Sequence, residues 1–517
     1  MAKVLSMSSK PLQISWRFLA SLWPLVQSLL LVMIFAGLLS LTLLESEVFY
    51  LAWFAFIPIL FAIEKASLMR AYSLGIIAGM MVFASSTYWV ADFLVIAKGQ
   101  TSLVSYLWAS LYWFYCAQLF GLLCCLFTLL KRYTRVHEFI LFPLVVASSI
   151  MVFPQLFSLT LAQTQVSFLI ALQGIALFGV SALDAVIALA NIVLFRLLCQ
   201  LRAKPFSITQ EDKKAMLVAV SVLMLWFGFG TWQRQEWAKI VTGSEVMKVG
   251  LVQANESPSL GYAQVMAGFG KVYPPEMEMT TRLEAIGAEL VIWSEARPKG
   301  YLDDRQVQLA YQQEVASIET SVLFQDLHNV INPINGLVED RYNTAVMLNN
   351  TGKDVGHYQK IKRIPLGEYI PLADEGTWIY AWLKSYFGGF SSELTAGHRF
   401  KIFSHARADI VPLICYETTF STFVAEGVAH ANNDIRYAKE TNKPLLLVAM
   451  SNDAWFGSIH QSHQHIFASA LRAVENRTPL VHVVNNGPSI VVSPTGKILF
   501  TSDFRQSGGY VVEVPLH

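Results

Sequence analysis

The first 231 residues are dominated by apolar runs, and that feature limits what the chain can fold into. Runs at 18–44, 48–63, 71–97, 102–130, 138–156, 168–199 and 215–231 are nearly free of charge. A helix needs about 20 mostly apolar residues to cross the hydrocarbon core of a bilayer, so these runs read as about seven membrane spans. The second is short enough to be a tightly turned partner of the first, and 168–199 is long enough to hold an interfacial or re-entrant piece. With 54% hydrophobic and 15% charged residues over 517 positions, the chain is too apolar for an ordinary water-soluble protein. The first run lacks a small-residue cleavage site and is followed by more apolar sequence, so no cleaved signal peptide is expected.

Orientation follows from the short loops. Lys3, Lys10, Arg17, Lys65, Arg70, Lys131, Arg132, Arg135, Arg196, Arg202, Lys204, Lys213 and Lys214 fall on one side, against Lys98 alone on the other. Cytoplasmic loops collect Lys and Arg, so the N-terminus is expected in the cytoplasm. An odd number of spans then carries everything after Trp232 to the opposite face. The net charge of +1, from 38 basic and 37 acidic residues, gives no bulk attraction to nucleic acid. Asp92 and Asp184, both inside apolar runs, are weak markers of a transport path.

Past Glu245 the pattern changes to strand-length apolar runs alternating with helical stretches. "VMKVGLVQAN", "AELVIWSE", "NTAVMLNN", "DIVPLICYE", "PLLLVAMSND" and "PSIVVSPTGKILF" read as strands, and "SPTGK" as a hairpin turn. Several are continuously apolar, as strands covered on both faces are. The chain therefore divides into a transmembrane α-helical bundle, 1–232, and a layered α/β domain, 245–517. Cys116, Cys124, Cys125 and Cys199 lie in or beside apolar runs, which leaves Cys415 as the single thiol of the polar half, without a disulfide partner there.

Reactive side chains in layered α/β folds sit just beyond the carboxyl ends of strands. Glu295 closes "LVIWSE", Cys415 closes "VPLICYE", and Ser451, Asn452 and Asp453 close "VAMSND". Between the first two, the loop "YQKIKRIPLGEYIP" carries Lys360 and Glu368. A thiol with an ordinary pKa of about 8.5 is only slightly ionised near neutrality and needs a base. Glu295 suits that task. Lys360, with the backbone N–H of Tyr416, suits the negative charge that builds on an attacked carbonyl oxygen. Taken singly, each has an ordinary explanation: a buried cysteine is usually a small hydrophobe, and a lone charge is usually solvated surface. A competing cluster, His460, His463 and His465, has spacing that could bind zinc but lacks a clear fourth ligand.

Six segments, "WSE" at 293–295, "YNTAV" at 342–346, "YQKIKRIPLGEYIP" at 358–371, "ICYE" at 414–417, "SNDAWFG" at 451–457 and "NNGPSIVVSPTGKI" at 485–498, occur in the order found in the nitrilase superfamily. Behind an N-terminal helical bundle, the sequence resembles the membrane-bound branch, the apolipoprotein N-acyltransferases, over nearly its whole length. The resemblance implies an α-β-β-α sandwich for 245–517. It also implies Glu295 as general base, Lys360 as oxyanion-stabilising cation and Cys415 as nucleophile, with Glu368, Glu417 and Asn343 in support. It further implies ping-pong transfer of an acyl chain from phospholipid, through a thioester, to the α-amine of a lipid-modified lipoprotein cysteine. No metal or dissociable cofactor is implied.

The expected setting is a monomer in the bacterial inner membrane with its catalytic domain in the periplasm. Expected substrate contacts are Tyr262, Trp455 and Trp378. Trp378 belongs to the aromatic segment Glu375 to Phe390, which could lean on the bilayer interface. Departures from the family are "WSE" for "WPE", Leu366 for a common phenylalanine, and Tyr262 for a tryptophan. The stretch after Val152 also lacks the usual Arg-Gly and Gly-Phe-Pro-Trp pattern. No final membrane helix follows the last strand, so the C-terminus at His517 is expected on the periplasmic side. The alternatives are a membrane-tethered amidohydrolase, an acyltransferase with another amine acceptor, and a transporter or sensor whose polar half binds ligand without chemistry.

Overall fold

A computed structural model of the protein describes residues 16–202, 209–258, 273–371, 376–387, 393–438 and 443–517. Lys3, Lys10, Lys204, Tyr262 and Phe390 lie outside them. Among the described residues six helices are long and apolar enough to cross a membrane: Trp23–Leu44, Ser46–Ile63, Leu68–Ser86, Ser102–Tyr133, Val180–Arg202 and Gln210–Gly243. The run at 138–156, read above as a full span, is the 15-residue helix Glu138–Val152, which at 1.5 Å per residue covers only about 22 Å. The run at 71–97 breaks near Thr87 into Leu68–Ser86 and Trp89–Lys98. The run at 168–199 opens with two single turns, Leu169–Leu172 and Ile175–Phe178, before Val180–Arg202.

Large apolar side chains such as Leu103, Leu122, Leu144 and Leu225 are exposed on the outer faces of these helices. Water would penalise that surface and lipid does not, so the protein is a multi-pass membrane protein. Inside the bundle, helices 68–86 and 102–133 approach closely through small residues. A Cβ added at Gly75 would lie 2.3 Å from the Phe120 carbonyl oxygen, and one at Gly79 would lie 2.7 Å from the Ala117 Cα. Asp184 accepts a hydrogen bond from the Ala162 N–H (2.8 Å) and so caps the short turn Ala162–Gln165, an ordinary structural use for that acid.

The C-terminal half forms two six-stranded sheets. The strands are β1 (Glu245–Gln253), β2 (Leu290–Trp293), β3 (Ser321–Ile331), β4 (Val338–Leu348), β5 (Asp354–Gln359), β6 (Phe403–Ser404), β7 (Asp409–Ile414), β8 (Leu445–Ser451), β9 (Leu480–Val484), β10 (Ile490–Val492), β11 (Ile498–Thr501) and β12 (Gly508–Leu516). Their orders are β12-β1-β2-β3-β4-β5 and β11-β10-β9-β8-β7-β6. Within them β1, β2 and β3 run parallel, as do β7, β8 and β9. Strand periodicity explains the stacking, since alternate residues point to opposite faces. Ile410 and Ile414 of β7, with Leu446, Val448 and Met450 of β8, meet Val249, Leu251 and Ile292 between the sheets. Val411, Leu413, Leu447 and Ala449 point the other way.

The outer face of the first sheet packs Trp293 and Phe324 against Tyr311 and Val315 of helix Arg305–Ile318. The outer face of the second packs against helices Ser421–Ala438 and Ile459–Asn476, and that layer merges with the membrane bundle in one continuous apolar core. The α-β-β-α sandwich therefore sits on the bundle through one of its own helix layers.

The close helix contact gives a test. Gly75→Leu forces a side chain into a neighbouring backbone and is expected to destabilise the detergent-solubilised protein by about 1–3 kcal/mol or more. Gly37→Ala, with nothing within 4 Å of the added carbon, is expected to cause no loss. Thermal melting monitored by tryptophan fluorescence reads both.

Candidate active site

The ends of β2, β5 and β7 converge at one seam between the sheets. Glu295 stands two residues past β2, Lys360 follows β5 directly, and Cys415 follows β7 directly. Lys360 and Cys415 are buried, and Glu295 is half-buried. Asn343, on β4 beside β5, donates from Nδ2 to Glu295 Oε1 (2.8 Å), and its carbonyl accepts from the Lys360 N–H (2.8 Å). Lys360 Nζ donates to Glu368 Oε1 (2.7 Å), while Glu368 Oε2 accepts the Ile364 N–H (2.8 Å). Among the described residues Glu295 Oε2 takes no bond from an N–H or O–H donor, and the same carboxylate is in contact with the Cys415 thiol.

Glu417 plays a different part from the other acids. Its Oε1 accepts from Tyr358 Oη (2.8 Å), Ile361 N–H (2.7 Å) and Lys362 N–H (3.0 Å), and its Oε2 from Ile414 N–H (2.8 Å). One fully buried carboxylate thus ties the backbone just after Lys360 to the backbone just before Cys415. Cys415 itself has φ +52°, and Leu366 φ +63°. Residues with a Cβ avoid this left-handed region, and it is held only where the surroundings enforce it.

The charges interlock. Burial disfavours the Lys360 ammonium, but Glu368, Cys415 and Glu295 outweigh that and hold its pKa above the ordinary value. Burial raises the Glu295 carboxyl, Lys360 opposing and Glu368 adding to the rise. Burial and then Glu295 push the Cys415 thiol well up, with Lys360 opposing. A buried acid with a raised pKa beside a buried thiol and a fixed cation is the kind of perturbed cluster found at reactive centres.

Cys415, Glu295, Asn343 and Glu368 open on a cavity of about 620 Å³. Residues of the membrane half also line it: Trp89 and Phe93 from Trp89–Lys98, Trp108 and Tyr112 from Ser102–Tyr133, and Leu156 and Phe157 from the segment after Val152. Trp455 lines it as well. Tyr416 points its ring at Phe157 and donates from Oη to the Leu156 carbonyl (2.5 Å), joining the residue after the thiol to the bundle. Trp378 does not line the cavity. It is 77% exposed, and helix Trp378–Phe387 contributes Leu383 instead. Tyr380 and Leu383, three apart, share the half-buried face, while Trp378 and Trp382, four apart, share the outer one. Tyr262 lies outside the described residues.

The histidine trio does not converge. His460 Nδ1 faces Tyr88 Oη (2.7 Å), His463 stacks on Phe467, and His465 turns inward to Asp453. Among the described residues no group of three His, Cys, Asp or Glu side chains could hold a metal. The sequence does not mark Gln325, Arg341 or any bundle residue as part of the cavity, whereas Asn452, at a strand end, and Leu366, a departure from the family pattern, both lie in its wall.

This two-sheet architecture is a known class. The carbon-nitrogen hydrolase family model matches residues 248–517, and the chain belongs to that family. The apolipoprotein N-acyltransferase N-terminal domain model matches residues 35–193, which sets the chain in the membrane-bound branch of the family. The apolipoprotein N-acyltransferase of Geobacter metallireducens is 25% identical over 488 residues, 89% of this chain and 84% of that one. The one from Rickettsia prowazekii is 30% identical over 211 residues, 41% of this chain and 38% of that one. Among solved structures, an amidase from Nesterenkonia sp. aligns with 53% of this chain and 91% of its own at 16% identity and a TM-score of 0.34.

The raised Glu295 carboxyl makes a signed prediction. A folded-state pKa above the unfolded value contributes stability at low pH that is lost as pH rises through the raised value. At pH 7, Glu295→Gln is therefore expected to melt no lower than the parent. Its rate of Cys415 acylation by an activated ester is expected to fall by about 10²–10⁴-fold, the usual worth of a general base. In the parent, the acidic limb of that rate is expected to lie above the ordinary glutamate value of about 4.3.

Proposed function

We propose that this protein transfers an acyl chain from a membrane phospholipid, through a thioester on Cys415, to the N-terminal α-amine of a lipid-modified lipoprotein cysteine. The observation that carries this reading is the cavity in front of Cys415, lined both by the polar groups around the sulfur and by apolar residues of the membrane half. A lipid ester can reach that sulfur without leaving an apolar environment. The relatives named apolipoprotein N-acyltransferase support the same acceptor.

In this scheme Glu295 takes the thiol proton as sulfur attacks the ester carbonyl. The oxyanion meets the Lys360 ammonium and the Tyr416 N–H. Collapse breaks the acyl C–O bond, and Glu295 returns its proton to the departing lysophospholipid oxygen. The acceptor amine then attacks the thioester, giving its proton to Glu295 and from there to the sulfur as the C–S bond breaks. Atoms balance, and no oxidant or reductant enters. Glu368 holds Lys360, Asn343 holds Glu295, and Glu417 holds the two loops in register. The apolar wall keeps water from the thioester. Trp455 sits beside the acyl path, and the outward face with Trp378 and Trp382 leans on the bilayer. The lysine and arginine pattern supports a position for this domain on the periplasmic face of the inner membrane, and the proposed enzyme acts as a monomer.

The test adds vesicles of labelled phospholipid and a diacylglyceryl-cysteine peptide. The parent is expected to form a hydroxylamine-labile adduct on Cys415 and then N-acyl peptide, and Cys415→Ala neither. Adduct that decays only to free fatty acid in the presence of peptide would instead make this an amidohydrolase-like enzyme.

A further inference from the structure

The catalytic scheme leaves unused a buried titratable pair that lies against the nucleophile's own peptide. His465, on helix Ile459–Asn476, is buried, and Asp453 is wholly so. Nδ1 of His465 lies 2.9 and 3.2 Å from the two Asp453 oxygens. Nε2 lies 3.2 Å from the Cys415 carbonyl oxygen and 3.1 Å from Thr418 Oγ1. A carbonyl oxygen can only accept, so Nε2 donates. An ionised carboxylate can only accept, so Nδ1 donates too, and the ring carries both protons. Thr418 Oγ1 adds a second bond to the same carbonyl (3.2 Å).

That carbonyl belongs to the Cys415–Tyr416 peptide. In a planar trans peptide the N–H points opposite to the C=O, so whatever holds the Cys415 carbonyl against helix 459–476 also fixes where the Tyr416 N–H points. Bonds to the oxygen polarise the unit and strengthen its N–H as a donor. The same bonds also restrain Cys415 at its left-handed φ of +52°, a conformation that persists only where the surroundings hold it.

We propose that Asp453 and His465 are positioning residues that act through the Cys415–Tyr416 peptide, holding the nucleophile in its left-handed conformation and directing the Tyr416 N–H at the oxyanion. This rests on the acyl-transfer reading only in that the oxyanion is the one formed at Cys415. Neither residue lines the cavity of about 620 Å³ in front of Cys415. The pair separates two reactions of the same sulfur: acylation passes through an oxyanion, whereas alkylation by iodoacetamide does not.

The experiment compares the parent with His465→Gln and Thr418→Val. Acylation of Cys415 is followed with a p-nitrophenyl ester, alkylation with iodoacetamide, and folding by thermal melting. For His465→Gln, kcat for the ester is expected to fall about 10²–10³-fold, the scale of a lost oxyanion donor, with KM and the alkylation rate changed less than about threefold. Thr418→Val, a near-isosteric change that removes one of the two bonds, is expected to show the same split at about tenfold, and it carries the test if His465→Gln does not accumulate folded. Acylation and alkylation falling together, or neither falling, would overturn the proposal. Parent protein that reacts with the nitrophenyl ester but not with phospholipid would refute the lipid reading while leaving this one standing.

Discussion

A buried ammonium is the constraint on which the site depends. Lys360 is 1% exposed, and taking a charge of that kind out of water costs several kcal/mol unless partners are fixed around it. Glu368 supplies the direct pair at 2.7 Å, and Glu295 and Cys415 supply the remaining field. Each partner arrives from a different place: Glu295 from beyond β2, Glu368 from the loop after β5, Cys415 from the opposite sheet. Removing Glu368 would leave the ammonium without its paired carboxylate, so the loop after β5 must keep its registry with the seam. Glu417, with its acceptors bonded to both sides of the seam, holds that registry.

The same packing couples the site to the membrane. Because β7 and β8 are buried on both faces, the side of the second sheet that does not meet the first must be covered by helix, and helix Ile459–Asn476 also touches the bundle. The sulfur and the membrane helices are thus parts of one apolar core, which is why Leu156 and Phe157, from a segment between spans, reach Tyr416. The bundle supplies the wall of the cavity as well as an anchor.

Much of this was legible in the sequence where one physical signal dominated. Apolar length gave the membrane half, and continuous apolar runs ending in Glu295 and Cys415 gave strands with reactive ends. β3 and β12 were not among the strands read, because β3 turns polar after Phe324, at Gln325, Asp326, His328 and Asn329, and period-2 alternation is weak in β12. The span count came out as six long helices and a 15-residue one because hydropathy cannot see the break at Thr87 or the single turns before Val180. Trp378 was chosen for its type, yet helical phase decides which residue faces inward, and that is Leu383. His465 was read beside its neighbours in sequence, whereas its partners, Asp453 and the Cys415 carbonyl, are set by tertiary folding alone.

The central claim is that the sulfur is reached through the membrane-facing cavity. It is tested most directly with a phospholipid carrying a photoreactive diazirine near the end of its acyl chain, allowed to acylate Cys415, illuminated, and mapped by peptide mass spectrometry. The account predicts cross-links in 89–98, 102–115 and 153–158, the walls of the cavity. Cross-links confined to outward faces such as those of Leu144 and Leu225, with none in those three segments, would contradict it.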